Sequence, residues 1–117
     1  MNNTQKTFAL ILGIVLLLVG IWGFFQPMIL GIFGTNVYQS VLHVIAGLFG
    51  IYAGTKGMGH GYNATIGWIG LVLGILGFIP GVDTLLMDLL DINTAITVLH
   101  LVIGIVCLAI YYGVSKE

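Results

Sequence analysis

Four stretches of the chain are apolar and free of charge: Thr7 to Phe25, Tyr38 to Thr55, Ala64 to Pro80 and Ile92 to Tyr112. Each runs about 17 to 21 residues, enough at ~1.5 Å per residue to cross most of a ~30 Å hydrocarbon layer. Buried helices of soluble proteins carry a polar face, and none of these four has a charged side chain. The pattern therefore predicts four transmembrane helices. Between the third and fourth, Asp83 to Asp91 reads as a short helix when wound at ~100° per residue. Asp83, Thr84, Asp88 and Asp91 then share one side and Leu85, Leu86, Leu89 and Leu90 the other, as in a helix lying in the headgroup region.

A shift of 57 residues lays the second half of the chain on the first. It pairs His43 with His100, Asn36 with Asn93, Gly13 with Gly70, Gly20 with Gly77 and Gly47 with Gly104, along with several Leu and Val positions. Matched Asn, His and Gly are harder to obtain by chance than matched Leu. The expected fold class is an all-α integral membrane four-helix bundle. It is built from two parallel, same-topology helical-hairpin repeats, about 4–60 and 61–117, within a single domain of residues 1–117. Two spans per unit is an even number, so both units enter the membrane in one direction, related by an axis along the membrane normal.

Composition agrees. Of 117 residues, 59% are hydrophobic and only 6% charged, against about 25% charged in an ordinary soluble domain. Lys6, Lys56 and Lys116 fall on one side if the amino terminus is cytoplasmic, and Asp83, Asp88 and Asp91 fall on the other, so both termini are expected in the cytoplasm. Trp22, Phe24 and Phe25 would form the outer aromatic belt, and Tyr52, Tyr62, Trp68, Tyr111 and Tyr112 the inner one. The expected location is the cell membrane, plasma or inner, crossed several times. The first span is expected to be retained, because its run exceeds a signal core and no Ala-x-Ala follows it. A formal charge of −1 leaves no cationic surface for nucleic acid. The lone Cys107 allows no internal disulfide.

Two sets of polar residues recur at steps of four, three and four: Asn36, Ser40, His43, Gly47 and Asn93, Thr97, His100, Gly104. Each set lies on one helical face, and unpaired polar groups are costly in hydrocarbon, so the stripes are expected to face one another across the bundle as a polar interface. The third span carries a further stripe, Gly67, Gly70, Gly74, Gly77 and Gly81, suited to close helix packing.

For His43 and His100 the first reading is structural: interhelical hydrogen bonds that fix register, with no cofactor and no metal. One alternative is a haem b, or else a pigment or metal, held by both imidazoles; against the haem stands the lack of Lys or Arg on the outer side to neutralise propionates. A second is a proton or small-solute conduit, for which no span supplies an Asp or Glu. No nucleophile has a nearby base, and the glycine-rich Gly57 to Gly61 follows no strand, so no enzyme is expected. His60 reads as solvated. The resulting expectation is a non-enzymatic structural or accessory protein of the bilayer that self-associates or docks on other membrane proteins. Any small-residue surface that the bundle does not bury internally would suit such docking, for example Ala46, Gly50, Ala53 and Gly54.

The blocks Leu42-His43-x-x-x-Gly47 and Leu99-His100-x-x-x-Gly104, with Ile79-Pro80-Gly81-Val82-Asp83-Thr84-Leu85, resemble a bacterial four-span family known as domain of unknown function 4383. The resemblance implies a four-helix membrane protein and carries no activity.

Overall fold

The computed structural model describes residues 3–114, so the expectation placed on Lys116 lies outside the described residues. Five helices follow in order: α1 Thr4–Gly23, α2 Val37–Thr55, α3 Gly59–Leu76, α4 Val82–Leu90 and α5 Thr94–Gly113. Four long apolar runs and one short amphipathic segment are thus helical. Between α1 and α2 the chain forms a ribbon that the hydropathy pattern does not foreshadow. Its strands β1 (Met28–Ile29) and β2 (Phe33–Gly34) pair antiparallel, Met28 opposite Gly34. The turn joining them puts Leu30 and Gly31 at positive φ, 57° and 76°.

Three helices, α1, α2 and α5, are long and apolar enough to cross a membrane. With 18 residues, α3 approaches them in length but not in apolar character, because it begins at Gly59 rather than Ala64 and takes in His60, Tyr62 and Asn63. The early start follows from the tight link before it. Lys56 ends α2, Gly57 turns at φ +71°, and Gly59 settles against the backbone of Gln5 and Lys6.

The helices pair as α1 with α2 and α3 with α5, and glycines set how closely. A Cβ on Gly47 would come within 2.5 Å of the Leu17 backbone nitrogen, and one on Gly13 within 2.6 Å of the Ile51 nitrogen. In the second pair Gly104 lies against Leu71 and Gly67, and Gly70 against the His100 carbonyl and Gly104. Of these contacts, the pairing of Gly13 with Gly47 recurs 57 residues on as that of Gly70 with Gly104, while the flanking contacts differ between the two pairs. Little apolar surface is hidden: Ala9, Leu12, Ala53, Tyr62 and Cys107 form a small core, while Ile11, Leu18, Phe49, Ile69 and Ile105 are exposed. In lipid such exposure costs nothing, and close backbone packing plus polar bonds must supply the cohesion.

The short α4 starts at Gly81, whose φ of +90° only glycine adopts without strain, and Asp83 Oδ1 accepts from the Gly81 and Thr84 amides. It ends at Asp91 in the left-handed conformation. None of its residues is buried.

Candidate functional site

Both histidines are positioned by the asparagine that opens their helix. Asn36 Oδ1 accepts from the Gln39 amide (2.9 Å) and Asn93 Oδ1 from the Ile96 amide (3.0 Å), the standard cap on orphan helix N–H groups. The side-chain amide of each then crosses to the other half of the chain. Asn36 Nδ2 donates to the Leu89 carbonyl (2.9 Å) and Asn93 Nδ2 to the Ile32 carbonyl (3.0 Å). His43 and His100 each stand seven residues beyond their cap, ~10 Å along the helix. Their rings meet with centroids 6.2 Å apart and planes at 70°. Each Nδ1 is buried and has no hydrogen-bond partner.

The rest of the two polar stripes does not meet across the bundle, and here the facing-stripe expectation is corrected. Ser40 is buried against Gly23 of α1, with its hydroxyl 3.4 Å from that of Thr35. Thr97 donates to the Asn93 carbonyl of its own helix (2.9 Å) and covers Gly77 of α3. Three residues of helix separate Ser40 from His43, a rotation of roughly 60° off a full turn. That is enough to aim the hydroxyl at the helix partner and the imidazole at the opposite hairpin. Gly47 and Gly104 likewise face their own hairpin partners. Gly67, Gly70, Gly74 and Gly77 all lie against α5, but Gly81 meets nothing within 4 Å and serves the turn into α4. The small-residue docking face is corrected as well: Gly50 packs on Gly13 and Tyr62, Gly54 on Leu10, and Ala53 is buried, so these groups are spent inside the molecule.

Four polar residues that the stripe analysis passed over join the two halves. Asn63 donates to both the backbone carbonyl (3.0 Å) and Oε1 (2.9 Å) of Gln5, and Gln5 Nε2 donates to the carbonyls of Ile110 (2.7 Å) and Val114 (2.9 Å). Both side chains are fully buried. Gln39 Nε2 donates to the carbonyls of Leu90 (2.7 Å) and Gly34 (3.2 Å). The Tyr62 hydroxyl donates to the Ala46 carbonyl (2.7 Å), so this ring lies in the interior rather than in an interfacial belt. Rarity was the available signal, since uncharged amides are few among such residues. Gln5 and Asn63 stand near span ends, however, where water is the default partner. His60, expected to be solvated, is stacked on Tyr111 with ring centroids 4.2 Å apart.

Between the halves runs a half-open groove of about 1060 Å³. All four long helices line it, with Leu12, Ala46, Ile66 and Ile103 among the apolar walls and both imidazoles on its surface. Chemically, this is a greasy slot with two nitrogen bases converging at one depth. Cys107 lies outside the groove's lining, buried beside Gly67. Among the described residues no three His, Cys, Asp or Glu side chains cluster closely enough to hold a metal ion.

A family model described as Domain of unknown function (DUF4383) matches residues 6–113. The chain belongs to this family. Its three long apolar helices fit the membrane character that the sequence implies. No curated protein and no solved structure matches the chain.

Proposed function

We propose that this protein is a small, non-enzymatic accessory component of a cell membrane, crossing it four times as two like-facing hairpins with both termini in the cytoplasm. The reciprocal asparagine ties carry this reading. Asn36 and Asn93 stand 57 residues apart, and so do their acceptors Ile32 and Leu89, so each hairpin gives the other the same bond. A reciprocal pair of this kind follows from a two-fold axis between two units inserted in the same sense. It supports reading α3 as the counterpart of α1, and so as a span, despite its polar opening.

The ties at the α4 end, the Tyr62 bond in the middle and the Gln5–Asn63 cluster near Lys56 make a braced frame whose outer faces are left to lipid or to neighbours. Among the described residues the bonds of this frame join amides, backbone carbonyls and one phenol, which is what a structural role asks of them. Its partners are taken to be the bilayer and other membrane proteins, a second copy included.

Topology is the first test. In a Cys107→Ala background, single cysteines at Lys56 and Asp88 are exposed to a membrane-impermeant maleimide in intact cells. Labelling at Asp88→Cys and protection at Lys56→Cys are expected, and the reverse, or labelling at both, would overturn the arrangement. Crosslinking in native membranes tests the accessory role: a defined adduct with itself or one other membrane protein supports it, and a strictly solitary species counts against it.

A further inference from the structure

We propose that His43 and His100 are the two axial ligands of an iron tetrapyrrole seated in the groove between the hairpins. This goes beyond the accessory reading and does not rest on it.

The ring separation points to it. Imidazoles hydrogen-bonded to each other would bring two nitrogens to about 3 Å and the ring centres to roughly 5 Å. The observed 6.2 Å is too long for that. It matches the span across one shared metal atom: two bonds of about 2 Å, plus roughly 1 Å from each nitrogen to its ring centre, make roughly 6 Å. Each ring also has a buried nitrogen that no protein group satisfies, in surroundings where an unmet polar atom is costly.

The ligand count decides what kind of metal. A bare zinc ion takes at least three protein ligands, and this pair has no third His, Cys, Asp or Glu beside it among the described residues. The missing bonds must come with the ligand, and a tetrapyrrole brings four in-plane nitrogens and leaves two axial positions open. Those positions lie on opposite sides of the ring, as the two histidines do on α2 and α5. A groove of about 1060 Å³ is slightly larger than the ~300–1,000 Å³ of most small-molecule pockets, and its apolar walls suit a flat greasy macrocycle. Among the described residues no lysine or arginine lies in the segments at the α4 end to neutralise acidic ring substituents. The histidines lie only ~10 Å from the capped ends of α2 and α5, so such groups can extend to water at the α4 end instead. Each imidazole gives one nitrogen lone pair to the iron and keeps its proton on the other nitrogen; the water or anion that the free haemin carried leaves to solvent, and no electron is transferred.

The test adds haemin to the purified full-length protein in mild detergent. A six-coordinate low-spin spectrum at one equivalent is expected, with sharp split visible bands after dithionite. His43→Ala and His100→Ala should each give a high-spin spectrum, and added free imidazole should restore the low-spin form by filling the vacated position. That rescue separates ligation from folding, as does an unchanged helical circular dichroism signal. A wild-type protein that leaves haemin in its free form overturns the proposal. So does a spectrum unaltered in both variants, which means haemin adhering elsewhere, or a lipid chain that haemin cannot displace. Tight binding of Cu(I) or Zn(II) alone at this pair, with haemin excluded, overturns it equally.

Discussion

Asn36 and Asn93 make the same pair of bonds from opposite halves of the molecule, each capping its own helix and donating to a carbonyl of the other half. One side chain thereby fixes both where a helix begins and how the halves register. Two substitutions separate the tasks. Asn36→Asp keeps the capping oxygen and loses the donor, and should cost roughly 0.5 to 1.5 kcal/mol. Asn36→Ala loses both and should cost about 1 kcal/mol more. Thermal unfolding in detergent, followed by circular dichroism, reads the difference, and Asn93 should behave the same way. Equal losses for Asp and Ala would mean that the crossing bond contributes nothing.

The Gln5–Asn63 contact should be the most sensitive polar site. Both side chains are fully buried, and Asn63→Leu leaves Gln5 Oε1 and its backbone carbonyl with no donor from Asn63. A loss of about 1 to 3 kcal/mol is expected for Asn63→Leu. Gln5→Met in that background should then cost less than it does alone, because one network is being removed twice. Additive losses in the double-mutant cycle would show that the two side chains act independently.

Gly47→Leu should prevent α1 and α2 from closing, since even a Cβ there would meet Leu17 backbone at 2.5 Å and no flexible side chain can yield. Gly61→Ala is the matched control. Gly61 lies in α3 with nothing within 4 Å, so stability should hold or rise by up to ~0.5 to 1 kcal/mol. Size-exclusion profiles and melting temperatures of the two variants check the contrast, and a well-folded Gly47→Leu protein would refute the close-packing account.

Tyr62→Phe removes the hydroxyl that α3 donates to the Ala46 carbonyl at the middle of α2. Its ring still fills the space beside Gly50, so the loss should be modest, about 0.5 to 1.5 kcal/mol. Tyr62→Ala should cost well over twice as much, because it also opens a void in the small core. Comparable losses for Phe and Ala would assign the residue's weight to the hydroxyl rather than the ring.

Much of the architecture was legible in the chain because the bilayer imposes simple rules. Long uncharged runs have to be helical in hydrocarbon, and the acidic stretch around Asp83 and Asp88 has to leave it. The β1–β2 ribbon was not legible, since its turn depends on positive φ at Leu30 and Gly31 and no alternation of polarity announces it. Of the candidate site, the matched positions of His43 and His100 came directly from the internal comparison. The partners of Ser40 and Thr97 did not, because residues three apart on a helix can share a nominal face and still serve different neighbours.

Sequence alone determined that the molecule is apolar, helical and internally similar at a shift of 57 residues, because hydropathy, helix period and residue identity can all be read from the chain itself. Tertiary structure decided which polar groups meet: Gln5 with Asn63, Tyr62 with Ala46, and two imidazoles at 6.2 Å above an open groove. The reason is physical. In lipid, apolar burial does not select one packing over another, so the choice falls to a few hydrogen bonds and glycine contacts between residues far apart in the chain, and these exist only once the hairpins have come together.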